Sequence, residues 1–524
     1  MLSGFGINYG RQQLDQHHPH RLLKLLSTSM SLSTRLPPEL WCAIWDDALP
    51  LKDRVAVSHV CRYWRDVAVH CASLWEHLEF SSTVHGEDCT CEHCGTWQQS
   101  VLAGDGAPCT RVFVRNAGPR PGRTNMPLIL SLVPRSGSIP LYLSFDVYPY
   151  VTNLSLIEDF GVQLAASGAS DRIISISAIF EDPRALRYLM RGIKRFPALE
   201  SLIAERQFDP STTTLDSQPW YDTDDIHMPL LEMVTLLGVG WTDAPKVSLP
   251  SLRHLGSSFM SPEEVDRVLD ACPSLESLRV VALFGPNRPC DYSWRLQSDV
   301  MAKLDRVPCV RVDHVWSGSE VWAIDNFGGG SFRPDFSLWY HPEAVPNYGV
   351  TFGLGLPDIE VFRIVLHPPT DDDPDSARAA LVLDSSSGIR RLLTFSSYNV
   401  GAISSRLGEA FANYFGSLKY LALPGACVPD FIRPELVLPE LETLVIKDAD
   451  IDGITQPVNS AVPSLKVLHL MGACDEPRRM TVEVLAAALG CLRPEGARLQ
   501  ELMLDDVELD GDTSVLDTLV ETIC

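Results

Sequence analysis

Apolar positions change their period along this chain. Near the amino end, in "LPPELWCAIWDDALP" (residues 36–50), Leu36, Leu40, Ile44 and Ala48 recur every fourth residue, and Trp41 and Trp45 widen the stripe. That spacing predicts a short amphipathic helix. Pro37 and Pro38 suit its first turn, where the amide a proline lacks has no intrahelical partner, and Pro50 ends it. In "KDRVAVSHVCRYWRDVAVHCASLWEHLEF" (52–80), Val57, Val60, Cys61, Trp64 and Ala68 fall on one predicted helical face. Asp53 suits the amino-terminal end of that helix, Arg62 and Arg65 point away from the stripe, and Leu74, Trp75 and Leu78 close the unit. Residues 35–80 thus read as two or three short helices with more apolar surface than so small a bundle can bury. The surplus predicts a docking face for another protein.

Farther along, the period drops to two and a phrase recurs. "FPALESLIA" (196), "MPLLEMVTL" (228), "LPSLRHLGS" (249) and "CPSLESLRV" (272) are followed later by "FGSLKYLAL" (415), "LPELETLVI" (438), "VPSLKVLHL" (462) and "GARLQELML" (496). The leading leucines are Leu199, Leu231, Leu252 and Leu275, then Leu418, Leu441, Leu465 and Leu499. Their steps are 32, 21 and 23 in the first cluster and 23, 24 and 34 in the second. Four of these lie in the roughly 20–29-residue range of leucine-rich repeats, and the other two could carry insertions. Alternating residues after each leading leucine predict a short strand whose leucines stack on neighbouring repeats, with the preceding proline favouring an extended start. Helical patches lie between, at "SPEEVDRVLDAC" (261–272), where Ser261 and Glu264 have capping-box spacing, and "TVEVLAAALGCL" (481–492), which follows the cap candidate Thr481.

"IPLYLSFDV" (139–147) and "RIISISAIF" (172–180) predict that the array begins well before residue 196. Residues 276–414 are irregular, with degenerate strands at "VPCVRVDHV", "PDIEVFRIV" and "GIRRLLTF". The expected fold class is therefore multi-domain α plus α/β: a small all-α unit, then an irregular leucine-rich-repeat-like α/β solenoid. The competing reading is a set of ordinary βα units in a compact α/β domain. Expected boundaries are an amino-terminal extension (1–34), the helical unit (35–80), a cysteine-containing linker (81–109) and the solenoid (110–524).

Composition narrows the function. The 524 residues are 45% apolar and 21% charged, as in folded proteins, and the net charge of −24 argues against a generic phosphate-backbone binder. No stretch reaches the ~18 apolar residues of a membrane span, and the amino end shows no sustained apolar signal segment. The fourteen cysteines are scattered, which predicts free thiols in the cytoplasm or nucleus and no disulfide framework. Neither nucleic acid nor membrane is expected as a partner.

"LPPEL", "VSHVCRYWRDVA" and "SLWEHLEF", in that order, resemble an F-box of the kind found in large families of fungal F-box proteins. The resemblance covers about 45 residues, and the segment between Pro50 and Val57 is more charged than the family usually shows. It implies docking on a Skp-type adaptor, and through it on a cullin–RING ubiquitin ligase, as a non-catalytic subunit. Carried onto this chain, Leu36, Pro37, Leu40 and Ile44 would form the first part of the docking surface, and Val60, Cys61 and Trp64 much of the rest. The repeats would then hold a target protein whose identity the sequence does not give. The alternative is a leucine-rich-repeat scaffold without ligase attachment.

One cluster, "VHGEDCTCEHCGTW" (84–97), offers Cys89, Cys91 and Cys94, with His85 or His93 and a distant Cys109, as candidate zinc ligands. The C-x-C start and the lack of a second knuckle favour a polar linker with reduced cysteines, so no cofactor is expected. Nucleophile elbows, zinc-protease helices, phosphate loops and dinucleotide fingerprints are missing from the sequence, and no catalytic residue is assigned.

Overall fold

The computed structural model describes residues 37–46, 49–84, 122–147, 154–180, 182, 184–206, 227–239, 241, 248–259, 261–282, 294–316, 318–328, 334–341, 344, 356, 358–367, 377–397, 400, 415–451, 454, 462–472, 477–492 and 497–524. They divide into two compact units, one running up to Val281 and the other from Ala282 to Cys524.

The first unit opens with helices α1 (Pro38–Asp46), α2 (Leu51–Val60) and α3 (Arg62–His70). It continues through β1 (His77–Val84), β2 (Gly122–Thr124), α4 (Met126–Leu132), β3 (Leu141–Val147), α5 (Leu154–Ala166), β4 (Ile173–Phe180) and α6 (Arg184–Ile193). β5 (Ser201–Arg206), β6 (Met233–Leu237), β7 (His254–Ser257), α7 (Pro262–Ala271) and β8 (Ser277–Val281) complete it. From β3 to β8 each strand pairs in parallel with the next in sequence. β1 pairs in parallel with β3 and antiparallel with β2. Sheet structure thus starts even before "IPLYLSFDV", and β1 crosses the boundary expected at residue 80. Helices α5 and α6 pack closely: a Cβ on Gly192 would lie 2.4 Å from the Glu158 carbonyl oxygen, and one on Gly161 2.8 Å from that of Leu189.

The second unit comprises α8 (Ser298–Leu304), β9 (Cys309–Val315), α9 (Glu320–Phe327), β10 (Asp335–Tyr340), β11 (Ile359–His367), β12 (Arg378–Ser385), β13 (Arg390–Ser396), β14 (Tyr420–Pro424), α10 (Val428–Phe431) and β15 (Thr443–Lys447). Then follow β16 (Val467–Met471), β17 (Arg478–Thr481), α11 (Val482–Leu492), β18 (Leu499–Asp505), β19 (Val507–Asp510) and β20 (Val520–Ile523). Its main sheet runs β9-β10-β13-β12-β11-β14-β15-β16-β18-β20. Every pairing in it is parallel except those of β12, which is antiparallel to both neighbours. The degenerate strands of the irregular span are present as β9, β11 and β13. What the sequence pattern did not show is β12, whose insertion places β13 ahead of β11 in the sheet. In each unit the main sheet strands are mostly parallel and flanked by helices, β17 and β19 pair apart in parallel, and no barrel closes among the described strands.

The recurring phrase has a specific local structure. Phe196, Met228, Leu249, Cys272, Leu438 and Val462 each begin a four-residue turn with proline second and the leading leucine fourth. The leucine amide donates to the first residue's carbonyl at 3.1–3.4 Å. Proline's fixed φ and missing N–H suit the second position of such a turn, so these prolines bend the chain where an extended start was expected. All eight leading leucines are buried. Three residues farther in, Leu202, Val234, Leu255 and Leu278 align across β5–β8. Leu421, Leu444, Leu468 and Leu502 align likewise across β14, β15, β16 and β18. Each row is buried and forms the spine of its unit. Thr481 caps α11 as expected, accepting from the Val484 amide at 3.4 Å. Ser261 makes no side-chain cap of α7. It bonds Glu263, whose carboxyl is held below the usual range by that hydrogen bond, and Glu264 is buried.

Candidate functional site

The amino-terminal helices sort their apolar residues onto two sides. Pro37 caps α1, its carbonyl accepting from the amides of Leu40 and Trp41 at 3.1 and 3.3 Å, and Pro38 is the first helical residue. Trp41 and Trp45 turn inward onto Trp64 of α3. Ring centroids lie 5.4 Å apart for Trp41–Trp45, 4.7 Å for Trp41–Trp64 and 5.4 Å for Trp45–Trp64. These three indoles are only 3%, 3% and 4% exposed. On the other side, Leu40 and Ile44 lie one turn apart on α1 and are 50% and 56% exposed, and Val60 at the end of α2 is 53% exposed. The stripe read as one face is therefore two: a tryptophan core within and an aliphatic ridge without. Trp64, expected on the docking surface, has its ring enclosed by this chain's own core.

The second predicted stripe is also divided. Cys61 has an extended backbone (φ −154°, ψ 170°) that ends α2 and begins α3, and its Sγ accepts from the Trp64 amide at 3.4 Å. Two short helices thus stand where one continuous stripe was read. Cys61 is half-buried and Pro37 exposed, while Leu36 lies outside the described residues.

The charged departure between Pro50 and Val57 has a structural cause. Pro50 both follows α1 and caps α2, its carbonyl accepting from Asp53 and Arg54 amides at 2.9 and 3.1 Å. Arg54 is buried; its guanidinium donates to the Leu74 carbonyl at 2.8 Å and to Glu79 Oε1 at 2.6 Å. Both Glu79 carboxylate oxygens also accept from the Leu51 amide at 3.0 Å, at the positive end of α2. Glu79 belongs to β1, so one carboxylate fastens the helices to the sheet. Trp75 donates its indole N–H to the Ala68 carbonyl at 2.7 Å, and Leu74, Trp75 and Leu78 are buried. The Arg54–Glu79 pair escaped the sequence reading, although an arginine inside an apolar helical run was its visible signal.

Other candidates resolve more simply. Cys89, Cys91, Cys94, Cys109, His85 and His93 lie outside the described residues. Among the described residues no group of His, Cys, Asp and Glu could hold a metal ion, and no helix is long and apolar enough to cross a membrane. The described cysteines are free thiols, with Cys272 pushed up to about 12 by burial.

Residues 33–81 match the F-box-like family model. No curated protein matches the chain. The match spans the three helices, the tryptophan core and the start of β1, the region whose outer ridge is unburied. This chain carries an F-box-like domain, which in general terms suggests a substrate adaptor of a ubiquitin ligase, usually a non-catalytic role.

Proposed function

We propose that this protein is the substrate-recognition subunit of a cullin–RING ubiquitin ligase of the Skp-containing type, working in the cytoplasm or nucleus. Leu40 and Ile44, with Pro37 and Val60, dock on the Skp-type adaptor. Trp41, Trp45 and Trp64 hold α1 and α3 at the angle that presents them. The two sheet units act as leucine-rich-repeat-like platforms for a target protein. The observation that carries this reading is the exposure of Leu40 and Ile44 beside a tryptophan core that is already complete. Completing the burial of each half-exposed aliphatic contributes about 1 kcal/mol, so a few such residues and their surroundings support a specific contact.

The test is capture of a purified Skp-type adaptor by the full chain. Leu40→Asp with Ile44→Asp abolishes capture while the thermal midpoint stays within a few degrees, since neither side chain is in the core. Trp64→Ala also abolishes it, but by opening a cavity worth about 3–5 kcal/mol and loosening the helices. Undiminished capture by the double aspartate variant refutes the docking ridge; no capture by the wild-type chain leaves a scaffold without ligase attachment.

A further inference from the structure

The sheet of the second unit carries an unusual face where β12 is inserted. Along β9–β13 one face is largely buried, and on the other the smaller residues Ser337, Ala380 and Thr394 are buried while the long side chains reach out. Val310, Val312, Phe336, Leu381, Leu383 and Phe395 are buried. The opposite face presents Arg311 on β9, Arg363 on β11, Arg378 on β12 and Arg390 on β13. Strand register joins them: Arg311 is level with Ser337, Leu392, Val382 and Arg363 across five adjacent strands. Arg390 and Arg378 lie on either side of that row, on β13 and β12.

The charges on this face are layered. Arg311 grips Asp313 with two nitrogens, and Asp384 accepts from Arg363 and Arg390, each at 2.7 Å. In every pair the arginine is outermost: side-chain exposures are 30% over 4% for Arg311–Asp313, 37% over 21% for Arg363–Asp384 and 53% over 21% for Arg390–Asp384. Trp339 supports two guanidinium groups through its ring, Arg311 at 3.4 Å and Arg378 at 5.5 Å. A ring holds a guanidinium without consuming an N–H, and among the described residues Arg378 meets no carboxylate. The carboxylates therefore act as an anchoring underlayer that fixes the arginine forks in place. Half-buried Leu392 and Val382 form an apolar floor between them.

We propose that this face, formed by Arg311, Arg363, Arg378, Arg390 and Trp339, docks an extended acidic peptide segment of a partner protein. The proposal rests on the reading of the sheet units as the target-holding part of the molecule. Arg311 and Arg363 stand four strand spacings apart, about 19 Å, which about six residues of extended peptide span. Guanidinium forks take carboxylates in two parallel hydrogen bonds, and the floor accepts small apolar side chains between the acidic ends. Three aspartates, Asp313, Asp335 and Asp384, lie among the four arginines, so the face suits a few discrete carboxylates. A nucleic acid, with its continuous phosphate charge, is poorly matched to it and to a chain of net charge −24. Asp335 adds to the bias, because burial pushes its carboxyl up and favours its neutral form.

Fluorescence anisotropy on the full chain tests this with a labelled peptide carrying paired aspartates about six residues apart, separated by valine and serine. Saturable binding that weakens with salt is expected. Arg363→Gln and Arg378→Gln should each reduce it about tenfold or more, Arg378→Gln with an unchanged thermal midpoint. Among the described residues Arg378→Gln leaves no carboxylate unpaired, which separates the test from folding. The proposal is overturned by no binding, by equal binding of an asparagine-substituted peptide, or by arginine variants that bind as the wild type does. Binding only of a phosphoserine version, or only of single-stranded DNA, overturns it in favour of a phosphate ligand. Adaptor capture on the same preparations reports separately: retained capture without peptide binding sinks only the docking face, and lost capture sinks only the ligase reading.

Discussion

The strands of the two units use the same kind of buried spine but differ in how they are assembled. From β3 to β8 strands pair in the order they occur, all in parallel, and the row at the strand starts includes the half-buried serines Ser175, Ser201 and Ser277. In the second unit that order holds through β14, β15, β16, β18 and β20, with β17 and β19 paired apart, but breaks at β10–β13, where an antiparallel strand is inserted and the arginines gather. Regular pairing needs only the turn, the leading leucine and the next buried residue, so its outer face is left free to be plain. An inserted hairpin strand brings a new set of side chains onto the same surface without disturbing the spine. Irregularity in this second sheet region is therefore where Arg311, Arg363, Arg378 and Arg390 come together.

The largest expected effect sets the spine against the outer face. Leu255→Ala, in the middle of the first ladder, should cost about 2–5 kcal/mol because its neighbours on β6 and β8 cannot close the cavity. Leu392→Ala, on the outer face of the second sheet, should cost about 1 kcal/mol or less, since part of that side chain already meets water. Denaturant titration of both variants measures the contrast, and equal losses would mean that the arginine face is itself core.

A smaller effect concerns the helices that cover the first ladder. Gly192→Ala drives a methyl into backbone of α5 and should cost about 1–3 kcal/mol, whereas Gly490→Ala, with nothing within 4 Å, should not destabilise α11. Thermal midpoints of the two variants decide it.

The smallest effect is a pair of aspartates with opposite responses to pH. Burial of Asp182 pushes its carboxyl up, but the side-chain and backbone hydrogen bonds from Arg184 and the charges of Arg184 and Arg206 outweigh this and hold it low. Its stabilisation is present above the unfolded carboxylate value and is lost as pH falls through the lower folded one. Asp182→Asn should cost about 1 kcal/mol at neutral pH, including the cap on the Arg184 amide at 2.9 Å, and less in acid. Asp335 is shifted upward, so its protonated form favours folding below the unfolded value and that advantage disappears as pH rises through the folded one. Asp335→Asn should be neutral or slightly stabilising at neutral pH and without effect in strong acid. Stability measured across pH for both variants checks the signs.

Much of this architecture is legible in the residues themselves. Pro37 and Pro38 announce the start of α1, and the proline–leucine phrase marks every rung of the first ladder and two of the four in the second. What periodicity cannot supply is direction. An alternating run such as "RAALVLDS" (378–385) reads the same in parallel and antiparallel pairing, so β12 and its neighbours stayed hidden. Nor does a helical stripe say which half faces inward: leucines and tryptophans share the spacing on α1, yet size sends the indoles into the core and leaves Leu40 and Ile44 outside. The break at Cys61 was equally silent, because a residue with extended backbone between two helices does not disturb the apolar count. Among the F-box-like residues, the order of motifs was visible and the burial of Trp64 was not.

Glu79 settles how force and orientation pass through the amino-terminal region. Because it clasps Arg54 and the first amide of α2 from within a paired strand, the helices cannot swivel as a tethered bead would. Anything seated on α1 inherits the bearing of β1, much as a lever inherits the angle of the axle to which it is keyed. The tilt of the helices on β1 is then set by the geometry of a clasp and not by the slack of a leash.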